Sequence, residues 1–261
     1  MIAEAKEFLE LIFSFFVIFD DMAVIIFGAS SGIGLSTVDY FLKKTDMEVV
    51  GISRSNIPKC YIDSEKLNWF NYSKVDFNSP QELANNIKQY INTTKIDVEA
   101  LVLNAGVLNV APAITFRDTD VVEMFNVNFF YHLYITRALV PRMLRSGGSI
   151  VAISSSAAEN SSEGRSIYNA SKSALESYIL TLGHEVGAKG IRANIVRPGL
   201  TDTSLMNDTT PDEGKKMFLE SSALKSICNP IDIANVIGFL VSPESKHISC
   251  ACIPVHGGAR L

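Results

Sequence analysis

Gly28-Ala29-Ser30-Ser31-Gly32-Ile33-Gly34 is the stretch of sequence that decides the fold. It follows an apolar run, 23–27, that is typical of a β-strand, and it opens a segment, 33–44, with the pattern of a helix. The first glycine allows a sharp turn, the second a close approach of the backbone to a ligand, and the third tight packing of helix on sheet. Since free amide groups at a helix start attract phosphate, the stretch predicts a phosphate-binding turn. A tight turn without a ligand is the alternative.

Apolar strands alternate with helical stretches along the rest of the chain, as in successive βαβ units of a parallel sheet. The predicted strands are 23–27, 48–53, 72–75, 100–103, 149–154, 192–196 and 251–255. The predicted helices are 33–44, 80–92, 118–145, 167–188, 212–226 and 231–240. No linker or repeat interrupts this pattern. We expect one α/β domain over residues 22–261, a Rossmann-type doubly wound parallel sheet of about seven strands with helices on both faces.

Residues 1–21 form an apolar N-terminal extension outside this pattern. The apolar run 11–19 is shorter than the roughly 20 residues that a membrane-spanning helix needs. Acidic residues in the first ten positions disfavour a secretory signal. A docking helix and a weak membrane-surface anchor are alternatives to the favoured interpretation, a translated leader upstream of a start at Met22, which would open the first strand directly.

Charge and cysteine content exclude several classes of protein. The net charge of −5 and the lack of a Lys/Arg-rich run argue against nucleic-acid binding. Four scattered cysteines are too few for a disulfide framework, which favours a reducing, cytoplasmic location. Cys250 and Cys252 have no second cluster to complete a metal site, and no metal is expected.

The spacing G-x-x-x-G-x-G resembles the cofactor turn of the short-chain dehydrogenase/reductase family, which usually reads T-G-x-x-x-G-I-G. Phe27 stands here in place of the usual threonine. Asn104-Ala105-Gly106 closes the fourth strand as the family's N-A-G does, and Pro198-Gly199 ends the sixth. The resemblance covers almost all of residues 22–258. It implies an oxidoreductase that binds a nicotinamide dinucleotide and a small carbonyl or alcohol substrate, as a homodimer or homotetramer.

The resemblance also assigns cofactor contacts to particular residues. Beside the three glycines and the N-A-G residues, it implies contacts from Ser30, Ser31, Ile33, Asp76, Phe77, Tyr168, Lys172, Pro198, Gly199, Thr201 and Thr203. Asp76 follows the predicted third strand, where the family has an adenine contact. Thr201 and Thr203 lie where the family holds the nicotinamide carboxamide.

The end of the second strand indicates which dinucleotide binds. An acidic residue there is typical of NAD sites, because it accepts hydrogen bonds from the ribose 2′-hydroxyl. Ser53 stands at that position, and Arg54 follows it. A guanidinium binds a 2′-phosphate through two parallel hydrogen bonds. We therefore expect NADP(H) rather than NAD(H), with a solvated surface role for Arg54 as the alternative.

Tyr168 and Lys172 lie one helical turn apart, so their polar ends can converge. An adjacent ammonium favours the phenolate, so we expect Lys172 to lower the pKa of Tyr168. In the family, a serine lies thirteen residues before the tyrosine. That count gives Ser155, with Ser154 and Ser156 as close rivals. Asn128 matches the family asparagine that holds a water near the lysine, and Asn126 is the weaker candidate.

Together these residues imply hydride transfer between carbonyl and alcohol, with Tyr168 as the general acid and base. A catalytically silent cofactor-binding protein of the same fold is the alternative. The chain's histidines are in no ligand-like spacing, and none is assigned to chemistry. Residues 200–227 would cover the pocket, but they contain no motif that names a substrate.

Overall fold

Seven parallel strands form a single sheet in the order β3-β2-β1-β4-β5-β6-β7. The computed structural model describes residues 22–72, 79–159 and 163–260. The strands are β1 Met22–Phe27, β2 Glu48–Ser53, β3 Leu67–Asn71, β4 Asp97–Leu103, β5 Gly148–Ile153, β6 Ile191–Pro198 and β7 Cys252–Val255. The order reverses between β1 and β4, which opens a crevice at the carboxyl ends of these two strands. The predicted doubly wound α/β fold is confirmed.

Helices cover both faces of this sheet. They are α1 Gly32–Lys44, α2 Pro80–Thr94, α3 Asp118–Phe125, α4 Tyr131–Met143, α5 Ser166–Val186, α6 Ser204–Thr209, α7 Asp212–Ser221 and α8 Pro230–Val241. Side chains alternate across β1, so Ile25 packs under α2, α4 and α5, whereas Ile26 packs under α1 and α8. Both are fully buried. The strands therefore read as continuous apolar runs because both faces are covered.

The third strand lies earlier in the chain than predicted. It spans Leu67–Asn71 and pairs with β2, so that Ser53 lies opposite Asn71. This strand lies at the edge of the sheet, where polar side chains are tolerated. Because it contains asparagines, it does not form the apolar run by which the other strands were predicted. Tyr72 follows the strand, with its amide donating to the Ser53 carbonyl at 2.9 Å. The rest of the predicted strand, residues 73–75, lies outside the described residues.

The predicted helix over 118–145 is divided. A π-helical segment, Asn126–Phe130, separates α3 from α4, and α4 ends at Met143. Hydrophobic periodicity does not detect such a change of hydrogen-bond pattern, and π segments are frequent at functional sites. The short helix α6, which Thr203 caps by accepting from the Met206 amide, was also not predicted. In the described parts of the chain, no helix is both long and apolar enough to cross a bilayer.

Candidate active site

The crevice at the carboxyl edge of the sheet gathers residues from five strand ends and from α5. Its lining comes from the ends of β1, β2, β4, β5 and β6. The sequence-predicted residues in it are Gly28, Ser30, Ser31, Gly32, Ile33, Arg54, Asn104, Ala105, Gly106, Ser155, Tyr168, Lys172, Pro198, Gly199, Thr201 and Thr203. Asp76 and Phe77 lie outside the described residues.

Two positions of the glycine turn, Gly28 and Gly34, have no room for a side chain. Gly28 has φ +87°, and a Cβ there would lie 2.6 Å from the Ala105 amide nitrogen. A Cβ on Gly34 would lie 2.0 Å from the Gly28 carbonyl oxygen. That same carbonyl accepts a 2.8 Å hydrogen bond from the Asn104 side chain, which ties the turn to the end of β4. The predicted reason for the third glycine, close packing, is therefore visible at Gly34.

The start of α1 fits the phosphates of a dinucleotide. Gly32 has φ +50°, and Ser31 at the N-cap makes no side-chain capping hydrogen bond. The first amides of α1 are therefore left to a ligand, and the positive end of the helix favours an anion. Thr203 closes the other side, since a Cβ on Gly32 would lie 2.9 Å from its methyl group. A narrow, backbone-lined cradle of this kind suits a pyrophosphate.

The end of β2 presents a cation and no carboxylate. Ser53 is buried, and its hydroxyl accepts a 3.1 Å hydrogen bond from the Ser55 amide. Arg54 is exposed and lines the crevice. Within the described residues, its guanidinium makes no hydrogen bond or ion pair. The cation is thus free to contact a ligand from the β2 side.

Tyr168 and Lys172 project from α5 toward the end of β5. Tyr168 is 7% exposed and Lys172 is 3% exposed. The ammonium of Lys172 donates a 2.8 Å hydrogen bond to the Ile153 carbonyl and lies 6.0 Å from the centre of the Tyr168 ring. The Ser155 hydroxyl interacts with the Tyr168 phenol and accepts a 3.1 Å hydrogen bond from the Ala157 amide. The structure therefore brings together the three predicted groups.

Burial opposes the charged forms of both α5 side chains. It raises the pKa of Tyr168, an effect that hydrogen bonding to Ser155 and the charge of Arg165 reduce only in part. Burial also lowers the pKa of Lys172 to about 8, against the opposing effect of the Glu176 carboxylate. The expectation that Lys172 lowers the phenol pKa is thus wrong for this structure. Desolvation is the largest influence on the phenol pKa, and the Lys172 ammonium, which donates to the Ile153 carbonyl, is not among the groups that lower it.

The three candidate serines have different surroundings. Ser155 is the one whose hydroxyl meets Tyr168. Ser154 also lines the crevice, but its hydroxyl is buried and has no hydrogen-bond partner in the described structure. Ser156 begins a short 3-10 turn and is not among the lining residues. The surroundings favour Ser155 over its rivals.

Asn128 lies in the π segment and is fully buried. Its side chain accepts from the Val107 amide at 2.8 Å and donates to the Val107 carbonyl at 3.0 Å, which fixes the loop after β4. It also donates to the Ser171 hydroxyl at 2.9 Å, which in turn donates to the Tyr168 carbonyl. Neither Asn128 nor Asn126, the weaker candidate, is among the residues that line this crevice in the described structure. Asn128 therefore holds together the loop and the helix that form the site.

His132, to which no role was assigned, supports the site. It is fully buried on α4, and its Nε2 lies 2.9 Å from the Ala105 carbonyl oxygen. Burial, together with the charge of Lys172, lowers the His132 pKa to about 3. The neutral ring donates to Ala105 and so holds the N-A-G segment in place. Its position one helical turn after Asn128 was the available signal.

The end of β6 completes the crevice. The Thr201 hydroxyl donates to the Gly199 carbonyl at 3.2 Å, and the Thr203 hydroxyl donates to the Thr201 carbonyl at 3.2 Å. Pro198 ends the strand. These contacts fold the segment after β6 back over the glycine turn. Arg165 also lines the crevice, and no sequence motif identifies it.

Several known proteins are similar to this chain in sequence and in architecture. The sequence profile for short chain dehydrogenases matches residues 22–214. A 3-oxoacyl-(acyl-carrier-protein) reductase of Thermotoga maritima is 30% identical over 240 residues, which cover 90% of this chain and 96% of that protein. The structure of a 7α-hydroxysteroid dehydrogenase with NADH and 7-oxoglycochenodeoxycholic acid superposes with a TM-score of 0.82 at 26% identity, covering 92% of this chain and 95% of that one.

A second solved structure, ElxO with NADP bound, superposes with a TM-score of 0.79. It covers 91% of this chain and 98% of its own, and its 22% identity supports the shared fold alone. These two solved structures contain a nicotinamide cofactor, NADH in the steroid dehydrogenase and NADP in ElxO. The profile match spans most of the chain, and the matched residues include the glycine turn, the N-A-G segment and the tyrosine-lysine pair. The chain therefore belongs to the short-chain dehydrogenase/reductase family of oxidoreductases.

Proposed function

We propose that this protein interconverts a carbonyl and an alcohol with NADP(H), and that Tyr168 is the general acid and base. The observation that carries the proposal is the convergence of Tyr168, Ser155 and Lys172 in the crevice that contains the glycine turn. A nucleotide bound on that turn can reach these side chains because they line one continuous cavity. Positioning of reacting groups in this way supplies a large part of an enzyme's rate acceleration.

The side chains have distinct tasks in this reaction. A bound nicotinamide cofactor supplies the hydride in reduction and accepts it in oxidation. The Ser155 hydroxyl donates a hydrogen bond to the substrate oxygen and orients it toward Tyr168. In reduction, the carbonyl carbon gains the hydride and its oxygen gains the phenolic proton of Tyr168; oxidation returns both. Because burial raises its pKa, Tyr168 is in the protonated form at neutral pH and holds the proton that reduction requires.

The preference for NADP(H) rests on the end of β2. Arg54 lines the crevice with its guanidinium free of partners in the described chain, and Ser53 replaces the carboxylate of an NAD site. A carboxylate there would repel a 2′-phosphate, whereas a guanidinium binds it with two charge-assisted hydrogen bonds. Both features favour the phosphorylated cofactor.

The names of the relatives favour carbonyl chemistry. The Thermotoga protein is named as a reductase of 3-oxoacyl groups, and the steroid dehydrogenase was solved with a 7-oxo compound. Both names describe a ketone and its alcohol. We propose the same class of reaction for this chain, without adopting either substrate. A cytoplasmic location and a homo-oligomeric assembly stay predictions from the sequence.

Substrate profiling tests the proposal. The full chain is incubated with aldehydes and ketones, and separately with alcohols, while the absorbance of NADPH or NADH is followed. We expect consumption of NADPH with at least one carbonyl class and slower consumption of NADH. Cofactor binding without turnover across the whole panel would favour a catalytically silent cofactor-binding protein. Equal use of both cofactors would contradict the assignment to NADP(H).

A further inference from the structure

The crevice has a charge opposite to that of the whole chain. The protein has 28 acidic residues against 23 lysines and arginines. Nevertheless, the charged residues that line the crevice within the described structure are three cations, Arg54, Arg165 and Lys172, and no carboxylate. Arg54 serves the cofactor in our proposal, and Lys172 is bonded to the Ile153 carbonyl. Arg165 remains without an assigned task.

Arg165 is held close to Tyr168 by its backbone. It is the N-cap residue of α5, three positions before Tyr168, and residues at that spacing share one face of a helix. Its carbonyl accepts a 2.8 Å hydrogen bond from the Asn169 amide. The preceding residue, Gly164, has φ +75° and accepts a 3.0 Å bond from the Ala111 amide. The start of α5 is thus tied to the loop after β4, so Arg165 has a defined place at the crevice.

The fold gains no visible stability from this arginine. A cation at a helix start faces the positive end of the helix, where an acceptor such as Ser or Asp is favoured. The side chain of Arg165 makes no capping hydrogen bond, and no ion pair joins it to another described residue. Of the acidic residues nearest in the chain, Glu159 pairs with Arg197 and Glu163 is exposed. The half-buried guanidinium is therefore available to a ligand in the crevice.

The charge of Arg165 affects the pKa of the Tyr168 phenol, the proposed reacting group. It is one of the influences that lower the pKa of the Tyr168 phenol against the effect of burial. The apolar side chains of Leu108 and Met206 line the same cavity. Arg165 and Tyr168 line this same cavity, so one substrate molecule with an apolar portion can contact both of them.

We propose that Arg165 binds an acidic group of the substrate, so that the preferred substrates are carbonyl compounds or alcohols that also carry a carboxylate or a phosphate. The inference rests on the proposed oxidoreductase function and specifies its substrate class. A guanidinium matches the two oxygens of either group, which fixes both the charge and the orientation of the substrate. Arg165 is thus a specificity residue, and Tyr168 and Ser155 act on the oxygen at the other end.

Matched substrate pairs test this proposal. One arm compares oxo acids, with the ketone at increasing distance from the carboxylate, with their methyl esters, which keep the ketone and lose the charge. A second arm compares hydroxyketone phosphates with the unphosphorylated hydroxyketones, and so separates phosphate from carboxylate. We expect the charged member of one arm to have a kcat/KM higher by roughly ten- to one-hundred-fold, as for a charge-assisted hydrogen bond. Equal values within both arms would overturn the inference.

Variants assign the preference to Arg165. In Arg165→Ala, the ratio of kcat/KM for the charged and neutral members should fall close to one, and Arg165→Lys should retain part of it. Arg145→Ala is the control, because Arg145 is exposed and lies outside the crevice. Its ratio should equal that of the wild type. A ratio that persists in Arg165→Ala would overturn the proposal, and binding of NADPH to each variant shows that it is folded.

A binding measurement decides the inference independently of turnover. A medium-chain oxo acid and a hydroxyketone phosphate are each titrated calorimetrically into wild type and Arg165→Ala, each saturated with NADP+. We expect at least one of the two compounds to bind wild type and to bind the variant more weakly by roughly ten-fold or more. Equal binding of both compounds by the two proteins, or no binding of either compound, would overturn the role of Arg165. Failure to reduce any carbonyl compound, with this difference in binding intact, would contradict only the proposed redox activity.

Discussion

Lys172 carries a charge that its surroundings oppose. Burial lowers its pKa to about 8, so the ammonium is present below that pH and is lost above it. Tyr168 has a raised pKa and stays protonated through the same range. Lys172 is one of the expected cofactor contacts, and the ammonium is a stronger hydrogen-bond donor than the neutral amine, so we expect kcat/KM for carbonyl reduction to fall as the pH rises through about 8.

The variant Lys172→Arg provides the control for this pH profile. Its guanidinium keeps its charge at alkaline pH, so the fall should move to higher pH even where the overall activity is lower. The measurement is the profile of kcat/KM for both proteins. A fall at the same pH in the variant would assign the titration to another group.

Arg54 should determine the preference for NADPH over NADH. Replacement by alanine removes the cation at the end of β2 and leaves the glycine turn intact. We expect the KM for NADPH to rise by roughly ten-fold or more, and the KM for NADH to change little. Steady-state kinetics with both cofactors measure the difference. Equal increases would show that Arg54 has no contact with a 2′-phosphate.

The packing of α1 on α8 depends on one glycine. A Cβ at Gly238 would lie 2.1 Å from the Tyr40 ring, so Gly238→Ala must displace that ring. We expect the free energy of unfolding to fall by about 1–3 kcal/mol, which is typical of an overpacked contact. Urea unfolding measures the change.

Gly187→Ala is the matched control for this contact. A Cβ at Gly187 has no neighbour within 4 Å, and φ is −57°. The substitution should therefore leave stability unchanged or raise it by about 0.4–1 kcal/mol. If both variants had the same stability, the close contact of Gly238 with Tyr40 would be contradicted.

Some elements were predictable from the sequence because one local cause determines them. The glycine turn combines a strand, a turn and a helix start within a few residues, and α2 begins at Pro80, as predicted, with Ser79 as its N-cap. β3 was misplaced because its partner β2, rather than its own polarity, makes it a strand. The π segment was missed because Asn128 within it is bonded to Val107 and Ser171, which are distant in the sequence.

In the candidate site too, motifs identify some residues and not others. Motifs located Tyr168, Lys172 and Ser155, since their spacing is local to one strand and one helix. His132 and Arg165 belong to no motif and reach the crevice only because α4 and the start of α5 pack against the loop after β4. The sign of the Tyr168 pKa shift could not be read from the spacing either, because it depends on burial.

Cofactor binding should stabilise the molecule as a whole, because the crevice joins the ends of five strands. A ligand that binds only the folded state stabilises it by about 2.7 kcal/mol at a concentration one hundred times Kd. For a chain of this size, that corresponds to a rise in Tm of roughly 5 °C or more. Thermal unfolding should show a larger rise with NADPH than with NADH at equal concentrations. An equal rise would contradict the preference for NADP(H).

Hydride transfer from NADPH that carries deuterium at both C4 positions is the most direct test of the proposed reaction. We expect the wild type to place the label on the former carbonyl carbon. Tyr168→Phe should still bind NADPH but transfer the label at least about one hundred times more slowly, because it has no proton to donate. Product without label from the wild type would contradict the proposed hydride transfer. Transfer by Tyr168→Phe at the wild-type rate would contradict the role of Tyr168 as proton donor.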